Sequence, residues 1–204
     1  MCSVFLFEDF TFFVEYIIIF SMKYVLASAS PRRRELLKKI LPQFDVCVAD
    51  FEEKATSDSP IDVVAEFSYG KAKAVADKIS GAVVIGADTV VSLEGKVFGK
   101  PKSEQEAKEM LFKLSGAVHD VFTGVCILGE CVDVRFVDRT QVVFKRLTVS
   151  EIDDYVAGGS PFDKAGAYGI QDSNFVEKIV GSYDNVMGLP TEKLQQALAE
   201  INER

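Results

Sequence analysis

The chain has 204 residues, 48% hydrophobic and 26% charged, which bounds it to a soluble globular protein of one large or two small domains with an ample core. Its formal net charge of −8 argues against a general nucleic-acid binder, which would normally be basic. Cys2, Cys47, Cys126 and Cys131 show no zinc-type pairing, and their scatter suits reduced thiols in a cytoplasmic setting.

Residues 1–21 read as an N-terminal extension separate from a single domain over 22–204. Their apolar run, residues 10–20, is about half a membrane span and is interrupted by Glu15. No Lys or Arg precedes it, as a secretory leader would require, so no membrane role is expected. Met22 stands directly before the first organised strand, and translation is expected to be able to start there. The rival reading is an extra strand or helix packed on the body.

Lys23-Tyr24-Val25-Leu26-Ala27-Ser28-Ala29-Ser30-Pro31-Arg32-Arg33-Arg34 reads as strand, tight loop and helix, with Ser30 as N-cap and Pro31 as first helical residue. A helix N-terminus favours carboxylates, yet this one opens with Arg32, Arg33 and Arg34. The arrangement is sensible if an anion with several oxygens sits on the loop, held by backbone amides, serine hydroxyls and guanidinium forks. A solvated basic patch explains the same charges.

Residues 44–49 read as a strand running into Glu52-Glu53, and Ser59-Pro60-Ile61-Asp62 opens a long helix to about Ile79. Its inward stripe of Val64, Phe67, Ser68, Lys71, Val75 and Ile79 includes a lysine. Commonly such a lysine lays its stem on the core and snorkels its amine outward; alternatively the ammonium points into a cleft and meets an anion. Residues 82–91 form the most apolar run and predict a central, doubly buried strand with Asp88 in its middle. A carboxylate there needs a cation, a metal or good donors beside it. The bland reading is a residue that ends the strand and caps a turn, but Val90 and Val91 continue the run.

Glu94-Gly95-Lys96 predicts a hairpin turn, Gly99-Lys100-Pro101 presents Lys100 from a constrained loop, and Ser103 with Glu106 predicts a full capping box for a helix ending at Gly116. Runs at 118–128 and 131–144 predict a hairpin, and Thr148 with Glu151 caps a short helix. His119, the only histidine, has no metal-spaced partner and reads as structural or capping. Residues 160–171 are loop-like in Gly and Pro content but carry Asp163, Lys164, Tyr168 and Gln171, and a glutamine amide can read a base edge. An ordinary connecting loop is the other reading. A strand from Phe175 to Val180, a turn-rich stretch over 181–190 and a last helix on Leu194, Leu198 and Ile201 complete the body.

With these pieces in place the chain resembles the Maf family of nucleoside triphosphate pyrophosphatases. The matching motifs are Ala27-Ser28-Ala29-Ser30-Pro31-Arg32-Arg33, Gly86-Ala87-Asp88-Thr89-Val90-Val91, Gly99-Lys100-Pro101, Leu114-Ser115-Gly116 with His119, Asp163-Lys164-Ala165-Gly166-Ala167-Tyr168-Gly169-Ile170-Gln171 and Gly188-Leu189-Pro190, in family order. The resemblance implies an α/β fold of the Maf/inosine triphosphatase-like kind, a mixed twisted sheet with flanking helices and two lobes around a central cleft. It implies hydrolysis between the α and β phosphates with a divalent cation, Mg2+ or Mn2+. Asp88 matches the general base and a metal ligand. Ser28, Arg32, Arg33, Lys71 and Lys100 match residues that hold the phosphates, and Glu53 stands at the family's acidic position as a metal or water partner. The 163–171 segment looks like the branch acting on dTTP and UTP, in which Arg32, Thr89 and Gln171 match the specificity positions. Modified pyrimidine nucleotides such as 5-methyl-UTP or pseudo-UTP fit the same residues, and the family's septum-inhibition label leaves a nucleotide-binding regulator of cell division as another class. A homodimer is also implied. Two departures stand out: Asp172-Ser173-Asn174-Phe175 where relatives usually have a glycine-rich turn, and Met187 where valine is usual.

Overall fold

A computed structural model describes residues 22–159 and 161–203. The extension at 1–21 lies outside the described residues. No described helix is long and apolar enough to cross a membrane.

Strand β1 (Lys23–Leu26) leads into helix α1 (Pro31–Ile40), and the Ser30 hydroxyl accepts the Arg33 amide at its start. Strand β2 is only Asp45–Val46, not the six residues expected, because β1 ends at Leu26 and offers pairing for no more. Helix α2 (Pro60–Ala76) is capped by Ser59 as predicted but stops three residues early in a turn. Strand β3 (Ala82–Leu93) turns through Glu94 and Gly95, both at positive φ, into β4 (Lys96–Phe98). Helix α3 (Glu104–Leu114) has half the expected capping box. Ser103 caps the Glu106 amide, but the Glu106 carboxylate accepts from Lys102, one residue earlier than the box requires. Strands β5 (Val118–Gly129) and β6 (Val132–Phe144) form the predicted hairpin, and helix α4 (Val149–Ala157) has its full capping box. A 3-10 turn (Ala165–Ala167), strand β7 (Val176–Val180), a short helix α5 (Tyr183–Met187) and helix α6 (Thr191–Asn202) follow. The α5 turn of helix replaces the turn-rich stretch expected there. Ser182 caps it and Gly188, at φ 110°, ends it, and five residues are too few to show a helical period.

The seven strands form one mixed sheet in the order β2-β1-β3-β5-β6-β7, with β4 paired to the far end of β3. β1 is parallel to β2 and β3, and the remaining pairings are antiparallel. Side chains alternate along β3, and that alternation divides the core. On one face Val83, Ile85 and Ala87 join Leu36 and Leu37 of α1 and Leu194, Leu198 and Ile201 of α6 in the first lobe. Further along the same face Val91 joins Leu111 and Leu114 of α3 and Ile152 of α4 in the second. Each leucine or isoleucine fully removed from water here contributes about 1.5–3 kcal/mol. On the opposite face α2 is the one described helix that lies along the sheet, packing Ala72 and Val75 on Val84 and Val64 and Phe67 on Val90 and Phe122.

The division leaves a gap. β1 pairs with β3 up to Ile85, β4 pairs from Val91, and among the described residues no strand neighbours the β3 edge between them. Asp88 and Thr89 lie in this gap and, being consecutive, point to opposite faces.

Candidate active site

The cleft at this gap has a volume of about 850 Å³. Arg32, Arg33, Glu53, Asp88, Thr89, Lys100 and Gln171 all line it, whereas Ser28 and Lys71 stand behind that lining.

On the α2 face, the Lys71 ammonium is not snorkelled outward. Its Nζ lies 2.5 Å from Asp88 Oδ1 and 2.6 Å from Glu53 Oε1, joining the two carboxylates. Such closeness needs α2 to lie almost on the sheet, and two glycines allow it. A Cβ on Gly124, directly opposite Asp88, would come within 2.3 Å of the Val64 carbonyl oxygen, and one on Gly86 within 2.4 Å of that of Ser68. Asp88 is 7% exposed. Burial raises its carboxyl above the ordinary range, against the opposing pull of Lys71 and Arg33. For Glu53 burial also works upward, but the Lys71 hydrogen bond and charge, helped by Lys100 and Arg33, bring it net below the usual range.

On the other face, the three arginines of α1 divide. Arg34 is exposed and does not line the cleft. Arg33 is fixed on three sides: Nε donates to the Gly188 carbonyl at 2.8 Å, Nη2 to Thr89 Oγ1 at 2.9 Å and Nη1 to Ser28 Oγ at 3.4 Å. Arg32 reaches across the cleft, donating to Asp163 Oδ2 at 2.6 Å and to the Asp163 carbonyl at 3.1 Å. Burial works to raise Asp163, but Lys164 and Arg32 together bring it below the ordinary carboxylate range. Lys100, another cation of the lining, is exposed and has no side-chain hydrogen bond or ion pair among the described residues.

The 163–171 loop is pinned rather than loose. Gly166 donates to the Gly99 carbonyl at 3.0 Å and sits at φ 67° against Val91, where a Cβ would meet Cγ2 at 2.8 Å. Tyr155 of α4 accepts from the Gly169 amide and donates to Asp172. Ser173 donates to the Gly169 carbonyl at 2.7 Å, and Asp172 also pairs with Lys164. The departure at 172–175 thus ties the loop to itself. His119 lies buried under the loop, with Nε2 2.9 Å from the Tyr168 hydroxyl and its ring edge-on to Phe144 and Tyr168. Burial lowers its pKa to about 4, so it is neutral at pH 7 and structural, as expected.

The profile of the family described as "Maf-like protein" matches residues 23–201. This chain belongs to that family. A dTTP/UTP pyrophosphatase of Bacillus cereus strain ATCC 14579 is 48% identical over 183 residues, covering 88% of this chain and 96% of its own length. The proteins of the same name from B. cereus strain AH820 and from Bacillus thuringiensis subsp. konkukian strain 97-27 are likewise 48% identical over 183 residues, with the same shares covered. The structure of the Staphylococcus aureus Ham1 protein superposes with a TM-score of 0.53 at 16% identity, covering 88% of this chain and 99% of that one, which shows a shared fold.

Among the described residues of this Maf-like chain no three His, Cys, Asp or Glu side chains gather as a metal site. The hard oxygens of Asp88 and Glu53 nevertheless suit Mg2+, which is commonly held by one or two carboxylates with substrate phosphates and waters completing the shell. Lys71 takes one oxygen of each carboxylate and leaves the other. Sequence reasoning missed the Arg32–Asp163 bridge, which joins residues 131 positions apart. It also missed Thr123 and Asn185, which lie behind Thr89. A threonine within an apolar strand carries no signal of its own.

Proposed function

We propose that this Maf-like protein hydrolyses nucleoside triphosphates, dTTP and UTP foremost, to the monophosphate and pyrophosphate. The observation that carries the reading is the opposition, across one cleft, of the Glu53–Lys71–Asp88 cluster and the guanidinium groups of Arg32 and Arg33. The relatives' shared name supports the choice of bases.

In this reading Arg32, Arg33 and Lys100, with Ser28 behind Arg33 and Lys71 behind Asp88 and Glu53, hold the three phosphates and spread the charge that develops on the leaving group. Arg32 exchanges Asp163 for a phosphate oxygen, an exposed ion pair of the kind worth about 1 kcal/mol or less. Asp88 takes a proton from water as the water oxygen bonds to the α-phosphorus. The bond from that phosphorus to the α–β bridging oxygen breaks, and its electron pair leaves with pyrophosphate. Asp88 and Glu53 would hold the divalent cation, Mg2+ or Mn2+, which supplies Lewis-acid neutralisation of the phosphates. Lys71 keeps Asp88 ionised and aimed. Gln171, with Arg32, governs base choice from the loop side, and Thr89, whose hydroxyl accepts from Arg33, acts behind that guanidinium. The homodimer and the cytoplasmic setting belong to the same proposal, and a sedimentation mass twice that of the chain is expected.

Pyrophosphate release measured over a panel of nucleotides with magnesium or manganese tests the reading, with dTTP and UTP expected to lead. Tight binding with no release from any of them would replace the hydrolase with a nucleotide-binding regulator. The pH profile supplies a second check. The acidic limb of kcat/KM reports the free protein, and Asp88 is held up by burial and pulled down by Lys71. Removing that ammonium in Lys71→Met moves the carboxyl further up, so the limb is expected to shift to higher pH along with the loss of rate. An unshifted limb would mean that Asp88 is not the group titrating.

A further inference from the structure

The hydrogen bonds behind Arg33 have a fixed direction. Thr123 Oγ1, fully buried on β5 opposite Thr89, donates to the Asn185 carbonyl at 3.0 Å. A hydroxyl has one proton, so in the 3.0 Å contact between Thr89 and Thr123 the donor is Thr89. Thr89 in turn accepts from Arg33 Nη2. The Asn185 carbonyl also accepts from the Gly188 amide at 3.0 Å, and the Gly188 carbonyl accepts from Arg33 Nε. The chain therefore starts and ends on the same guanidinium, running through Thr89, Thr123, Asn185 and Gly188. With Ser28 on Nη1, three of the five guanidinium donors are committed, leaving one hydrogen on each terminal nitrogen. That is the spacing of a two-pronged contact with two phosphate oxygens.

We propose that Thr123 is a positioning residue for the pyrophosphatase reaction: its hydroxyl fixes the Thr89 proton, and through Thr89 the orientation of the Arg33 fork toward the substrate's phosphates. Thr89 then acts through Arg33, since its own proton is already given away. The inference rests on the hydrolase reading. Thr123 does not line the cleft, and its neighbours Phe122 and Gly124 face away from it on the α2 side.

The test compares kcat/KM for dTTP in wild type, Thr123→Val, Thr123→Ser, Thr89→Val and the Thr89→Val/Thr123→Val double variant. Valine matches threonine in shape but can accept nothing, and a loss of about tenfold or more is expected with the melting temperature held within a few degrees. Serine restores the hydroxyl and is expected to stay within about threefold of wild type. Because both valines break one chain, the double variant is expected to be no worse than the poorer single one, rather than showing the product of the two losses. Should Thr123→Val not fold, Thr123→Cys, whose sulfur accepts weakly, takes its place against serine. Wild-type rates in the valine variant, a serine variant as impaired as the valine, or multiplying losses would each overturn the positioning role and leave the hydrolase reading standing. Absence of turnover in wild type would overturn the hydrolase reading instead, and the same variants would then be compared by dTTP affinity in calorimetry, with the same pattern expected.

Discussion

Asparagine at position 88 is expected to give a folded protein that releases pyrophosphate about 10³-fold more slowly than wild type, the size of a lost general base. The substitution keeps the shape of the side chain and removes its charge. Stability should move the other way or not at all. The Asp88 carboxyl is raised in the folded protein, chiefly by burial, so its ionised form is disfavoured there. A raised acid contributes most at pH below its unfolded value, and that contribution is lost as pH rises through the folded value. The neutral amide has no such dependence, and Lys71 keeps Glu53 as a partner. Thermal melts of Asp88→Asn should therefore match or exceed wild type at pH 7 while activity falls. A variant that turns over dTTP at the wild-type rate would remove Asp88 from the chemistry.

A methyl group at position 124 is expected to be the most damaging small change to the fold. It would lie 2.3 Å from the Val64 carbonyl oxygen and 2.6 Å from the carbon, both backbone atoms that cannot swing aside. Overpacking of this kind costs about 3 kcal/mol, which for a domain of this size lowers the melting temperature by roughly 10 °C. If α2 relieves the clash by moving outward, it carries Lys71 away from Asp88, so activity should fall further than the melting temperature alone explains. Gly99→Ala is the control: nothing lies within 4 Å of its added Cβ, and no change in melting is expected. Gly124→Ala with unchanged melting and turnover would show that the closeness of α2 to the sheet is not needed.

What could be read from the residues follows from where the signals sit. Proline after serine marked the starts of α1 and α2, and the unbroken apolar run marked β3, because local sterics and burial dictate them. Asp88 was conspicuous as a carboxylate in that run, and Lys71 as a cation in an apolar stripe. Their union was not legible, because it depends on Gly86 and Gly124, whose reason is a helix lying across the sheet. β2 was overestimated because Phe44 to Ala49 has strand propensity but little of β1 to pair with. The Ser103 box was half right because Glu106 found the Lys102 amide first. The threonines behind Arg33 were invisible, since only the β3–β5 register sets them side by side.

Consecutive residues on one strand, Asp88 and Thr89, serve opposite walls of the same cavity, and the three longest strands run unbroken beneath both lobes. The wall carrying residues 163–171 and the wall carrying Glu53 and Lys71 are consequently built from separate stretches of chain. On the proposed reading, substitutions in the former are expected to retune which nucleobase is accepted while leaving the Glu53–Lys71–Asp88 cluster in place. If the proposed roles hold, the architecture gives a lineage room to diversify its substrates while the opposite wall stays unaltered.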